Sequence, residues 1–198
     1  MGTIKTTNIE PIADNGTVTL GSSGDTFTVP SGVTIANSGT ATGFGLTMAD
    51  QFRLTADTSA GASGDITTNL ERVDSAGQGT LGTGMTESSG IFSFPQTGIY
   101  LVNFTGYAYT SSGTDLLVTL EIKATTNNSS YANVARGNAG TAAAGHTNST
   151  TVWTLIDCTD TSNVKVKFAT TSIGSNTQLL GDSTQNETCF TFIRLGDT

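Results

Sequence analysis

Positive charge is scarce in this sequence: 8 lysines and arginines stand against 16 aspartates and glutamates, for a formal net charge of −8. Without a basic cluster, the phosphate neutralisation that nucleic-acid binding requires has no source, and nucleic acid is excluded as a main partner. Cysteine is nearly absent. Cys158 and Cys189 are too few for a disulfide framework, and two reduced core thiols are expected ahead of a bridge. No apolar run approaches the roughly 20 residues of a membrane helix, so no membrane insertion is expected. The opening MGTIKTTNIE lacks the apolar core of a secretory signal. A single histidine, His146, lies among Ala, Gly, Thr and Asn with no acid or nucleophile beside it, and is expected in an exposed loop. Glu71, Glu87, Glu121 and Glu187 are dispersed without a motif, so a glycosidase pair could arise only through folding. Catalysis is not expected.

What is abundant is Thr, Ser, Gly and Asn, punctuating short runs of Val, Ile, Phe, Tyr and Thr. That grammar makes strands and turns rather than helices, and the expected fold class is all-β. Hydrophobic residues make up only 35% of the chain, on the low side for a self-sufficient monomer. Some surface is therefore expected to be buried against further copies. Charged residues make up only 12%, so the exterior must be largely hydroxyls and amides. Such a surface can hydrogen-bond to carbohydrate, although an inert surface is the plainer expectation.

Three parts follow one another: an arm over 1–16, a β-repeat stalk with a Gly-rich neck over 17–45, and a head over 46–198. The stalk carries Val18 and Leu20, Phe27 and Val29, then Val33 and Ile35, each pair at i and i+2 with Thr between. Six such side chains, at about 1.5–3 kcal/mol each, cannot offset the ordering of its backbone at about 1–2 kcal/mol per residue. Sister chains closing around a three-fold axis are the simplest support, which makes a homotrimer the expected assembly.

From Met48 the strands lengthen, with expected spans 51–56, 66–73, 90–94, 99–110, 116–124, 130–135, 150–158, 163–170 and 187–195. Leu116, Val118, Leu120 and Ile122 alternate with Leu117, Thr119, Glu121 and Lys123, predicting one buried and one wet face. The spans 99–104 and 152–156 carry apolar groups on both faces, including Tyr100 and Trp153. A two-layer sandwich with such strands needs a third surface, and a subunit interface supplies one.

The run from Gly90 to Phe104 contains Gly90, Phe92, Pro95, Gly98 and Tyr100 in the spacing G-x-F-x-x-P-x-x-G-x-Y. It resembles the signature of the C1q and tumour-necrosis-factor-like family. Cys189 to Leu195 is similar to that family's closing strand, with Thr191 where its members usually have Gly. The resemblance spans roughly 48–198 and implies a trimeric jelly-roll head used for binding rather than catalysis. It places Phe92, Tyr100, Phe104 and Trp153 in the head core. Residues 3–45 resemble structural proteins of tailed bacteriophages, especially those of marine and cyanobacterial hosts. That likeness implies a virion protein, either a tail fibre or a capsid decoration. Ile4, Ile9 and Pro11 would anchor the arm to capsid, tail or fibre adaptor, and the head would face outward toward host-surface glycans. A bacterial surface adhesin is the competing reading, and a polysaccharide-degrading spike is a more distant one.

Two minor sites complete the expectations. Asp157, Asp160 and Asn163 offer hard oxygen donors that would suit calcium, but Asp and Asn are also what any tight turn uses. The plain turn is preferred, and no other cofactor is expected. Tyr107 and Tyr109 would line the trimer interface ahead of a sugar site, whereas Tyr131 with Asn128 is the better candidate for surface ligand contact.

Overall fold

The computed structural model describes residues 9, 16–36 and 45–198, and the chain divides into two units, Met1–Thr42 and Gly43–Thr198. In the first unit, residues 16–36 form no strand. Short turns close where Asp25 N–H donates to Ser22 O and Val33 N–H to Pro30 O. Val18, Leu20, Phe27, Val33 and Ile35 are exposed and Val29 is half-buried. A lone copy therefore leaves most of these apolar groups in water, and among the described residues the expected ladder has no partner strand. Ile9 is exposed too. Ile4, Pro11 and the Gly-rich stretch 37–44 lie outside the described residues.

The second unit is built from strands. They are β1 (Ala49–Leu54), β2 (Gly64–Asp65), β3 (Leu70–Arg72), β4 (Thr86–Ser88), β5 (Ile91–Ser93), β6 (Gly98–Thr110), β7 (Asp115–Thr125), β8 (Ala132–Thr141), β9 (His146–Cys158), β10 (Lys165–Thr171), β11 (Thr177–Leu179) and β12 (Cys189–Gly196). They form two antiparallel six-stranded sheets. In the first sheet β6 is central: β9 pairs along one edge, β12 and β11 share the other, and β1 then β3 continue beyond β12. In the second, β8, β7 and β10 run side by side, and β10's far edge is shared by β5 and β2, with β4 outside β5. No helix occurs among the described residues.

Inward-facing aromatics fill the space between the sheets. Phe92 meets Phe52 edge-on at 5.1 Å and Phe168 at 5.3 Å, and Phe168 lies 4.4 Å from Phe190. Edge and offset contacts of this kind add to the burial energy of each ring. Phe92, Tyr100 and Phe104 are fully buried, as the signature implies. Tyr100 packs on Phe94 at 4.6 Å and donates its hydroxyl to Gln96 O at 2.8 Å, pinning the turn that contains Pro95. Gly90 sits at φ +79, and a Cβ there would collide with Ile66 O. Gly98, at φ +143, is pressed against Gly196 O and Arg194 in the same way. The two signature glycines are thus required by both backbone conformation and space.

Several expectations are corrected. Of the expected span 66–73 only Leu70–Arg72 is strand, as β3: Asn69 adopts φ +58 and interrupts the extended chain, and β2 ends at Asp65, before the span begins. His146 begins β9 instead of occupying a loop, drawn into pairing with Thr110. Leu116 is 78% exposed: the β7–β8 register shifts between Asp115 and Val118, and this bulge turns Leu116 and Leu117 out of the alternation. Thr119 and Glu121, expected on a wet face, are buried. Thr119 donates to Asn138 Oδ1 at 2.9 Å, and Glu121 accepts from Thr171 at 3.3 Å. Trp153 is 61% exposed and does not belong to the core. Val152 and Ile156 take the inward positions of β9, so the period of two sends Trp153 and Leu155 outward.

Candidate functional site

The outer face of the β6-centred sheet is apolar over one half. Register places Ile99, Leu101 and Asn103 of β6 opposite Asp157, Leu155 and Trp153 of β9, and Leu101 opposite Ile193 of β12. Directly opposed residues share a face, so Ile99, Leu101, Ile193, Leu155 and Trp153 make one continuous surface. Leu155 is 53% exposed and the other three aliphatics are half-buried. Toward the far end the same face turns polar: Thr105 and Thr151 share a hydrogen bond at 2.8 Å, and Tyr107 donates to Thr147 at 3.1 Å. Exposed apolar groups scattered singly mean little, but a contiguous set with a polar border marks an interaction surface.

The ends of the sandwich are distinct. The chain enters the head at the apolar end, where Ala49 pairs with Ile193 and Gly196 with Ile99. The turn 159–163 follows Cys158, which pairs with Gly98 at that same end. Asn128 N–H donates to Asn163 O at 2.9 Å, which brings the turn carrying Asn128 and Tyr131 there as well. The Tyr131 ring is covered by the Lys167 ammonium, 4.3 Å from its centroid. Burial pushes its hydroxyl pKa up, as does the Asp65 charge nearby.

Asp157 points outward from β9. Asp160 organises the turn, accepting from Ser162 N–H at 2.7 Å and from the Asn163 amide at 2.6 Å. Those donors, the Ser162 N–H foremost, hold its carboxyl below the usual value. No cluster of three or more His, Cys, Asp or Glu that could hold a metal occurs among the described residues. Cys158 and Cys189 are free, opposite Gly98 and Thr105 of β6 respectively. Burial raises the pKa of both, so they remain protonated and unreactive.

At residue level the sequence did not disclose the charge pairs that hold the loops. Arg53 is fully buried and bonds Glu71 at 2.7 Å, Asp74 at 2.9 Å and Ser75 at 2.9 Å. Asp50 binds Arg72 at 2.9 Å and receives the Met85 N–H at 2.7 Å. On the second sheet, Asp65 bridges Lys123 at 2.8 Å and Lys167 at 3.2 Å. Burial works to raise the Asp65 pKa, but the two lysines outweigh it and hold the carboxyl below its ordinary value.

This topology has solved counterparts. Eiger TNF from S. frugiperda superposes over 77% of this chain and 95% of its own at a TM-score of 0.54 and 15% identity. The head is a jelly roll of the tumour-necrosis-factor and C1q type. Murine APRIL covers 75% of this chain and 98% of its own, with a TM-score of 0.51 and 12% identity. PRD1 vertex protein P5 is similar over 77% of this chain at 20% identity, but its TM-score of 0.47 is too low to carry weight. No protein-family model and no curated protein matches the sequence.

Proposed function

We propose that this chain is a non-enzymatic structural protein of a phage virion, a homotrimeric fibre or decoration with an outward-facing adhesive head. The observation that carries the reading is the apolar surface of Ile99, Leu101, Trp153, Leu155 and Ile193. A jelly-roll head with such a face gains stability by pairing it with further copies, since aromatic and aliphatic groups dominate the centre of protein interfaces. The exposed pairs Val18/Leu20, Phe27/Val29 and Val33/Ile35 point the same way. Three copies would bring them together on one axis, building the stalk, and Ile4, Ile9 and Pro11 would anchor the arm. The virion assignment rests on the resemblance of residues 3–45 to tailed-phage structural proteins read from the sequence. A bacterial surface adhesin would use the same assembly without a particle.

The test is mass in solution. Light scattering of the full chain should give three times the 20.3 kDa of one copy. The double substitution Trp153→Ser with Leu155→Ser should shift the species toward monomer at low micromolar concentration while leaving the β-type circular dichroism unchanged. A folded monomer in the unmodified chain would remove this reading. Purified virions analysed by mass spectrometry separate a particle component from a cellular adhesin.

A further inference from the structure

The end of the sandwich opposite the chain's entrance holds a cavity of about 200 Å³. Its position follows from the register: Thr58 accepts the Leu179 N–H at 2.9 Å, and Leu179 pairs with Ala108 near the distal end of β6. Leu54 and Ile66, both buried, contribute its apolar part. Ser59, Ser63, Thr67, Thr68 and Asn69 are among the polar residues that line the rest. None of these five side chains donates or accepts a hydrogen bond among the described residues, and all five are solvent-accessible. Asn69 lines the cavity from a left-handed backbone at φ +58, a conformation asparagine adopts readily.

Charge chemistry narrows the ligand. The two carboxylates at the rim are already engaged. Asp57 receives Gln178 at 2.5 Å and the Gly181 N–H at 3.0 Å, and Asp65 is held by its two lysines. The donors to Asp57 are neutral, so its negative charge remains at the rim and disfavours an anionic ligand. A small, mainly polar recess with unpaired hydroxyl and amide side chains suits a polyhydroxylated ring. We propose that this cavity binds a single uncharged sugar residue of a surface polysaccharide. No aromatic side chain lines it, so one site binds weakly, and three copies on one trimer supply the avidity. The proposal deepens the adhesive-head reading, and rests on it for the orientation of this end away from the anchor.

Saturation-transfer NMR on the full chain tests it, using the methyl glycosides of glucose, galactose, mannose and N-acetylglucosamine as probes. Transfer to at least one glycoside is expected. It should fall by about tenfold when Thr67→Val and Thr68→Val remove two hydroxyls, and vanish when Thr68→Phe fills the recess. Thr159→Ala, in the exposed turn at the opposite end, should leave it unchanged. Absence of transfer to every glycoside overturns the proposal, as does transfer that survives Thr68→Phe or is lost in Thr159→Ala. Light scattering on the same samples separates the two readings. A trimer without transfer removes the sugar site alone, whereas transfer to a monomer removes the assembly and keeps the site.

Discussion

Tyr100 shows how one signature residue serves two purposes. Its ring is buried against Phe94, while its hydroxyl reaches Gln96 O and closes the turn around Pro95. Burial pushes its pKa up, consistent with a phenol kept neutral inside the protein. Tyr100→Ala should destabilise the head by about 3–5 kcal/mol, the cost of removing a buried aromatic. Tyr100→Phe should cost only about 1 kcal/mol, because the ring stays and one neutral hydrogen bond is lost. Urea denaturation of the two variants separates packing from the turn. This position was legible in advance because the run from Gly90 to Tyr100 resembles the family signature, in which Pro95 and Gly98 make the turn and Tyr100 enters the core. Trp153 was not. Its chemistry says buried, and only the positions of Val152 and Ile156 on the same strand decide that it faces out.

Elements differ in what holds them. The long strands β6, β7, β9 and β10 are secured by continuous pairing and by inward aromatic and aliphatic groups. The two-residue β2 has little of either, and Asp65 fastens it between Lys123 and Lys167. The Asp65 carboxyl is depressed in the folded protein, so its contribution is complete above the unfolded value of about 3.9 and disappears as pH falls through the folded value. Asp65→Asn should therefore be less stable than the unmodified protein at neutral pH, and the gap should close as acidification passes below the ordinary aspartate range. Chemical denaturation at several pH values measures it; a gap independent of pH would show that the ion pairs hold nothing. Such short strands escape sequence reading for a related reason. β4 and β11 are three residues each, too brief to display a period, and they exist because β5 and β6 offer them an edge.

At the scale of the whole molecule, the two ends of the head have different characters. The end that receives the chain carries apolar groups, and the far end carries the hydroxyl-lined recess. Association and stability are also separable, because the head has its own aromatic core. A chain beginning at Gly45 should keep the head's melting transition within a few degrees while dissociating at higher concentration than the full chain. Calorimetry and light scattering of the pair measure the two effects. Loss of the transition would mean that residues before Gly45 complete the head core.

Alternation of period two and frequent turn residues were enough to establish an all-β sandwich and most of its long strands, and the jelly roll followed from the family resemblance of the run around Tyr100. These are local properties, set by backbone sterics and by which side of a pleat a residue occupies. The bulge at Leu116 and Leu117, the outward turn of Trp153, the buried Arg53 and Asp50 networks and the recess below Asn69 were decided only by tertiary structure. Each depends on which distant strand or loop arrives alongside, and that pairing is a property of the closed sandwich that no single stretch of sequence contains.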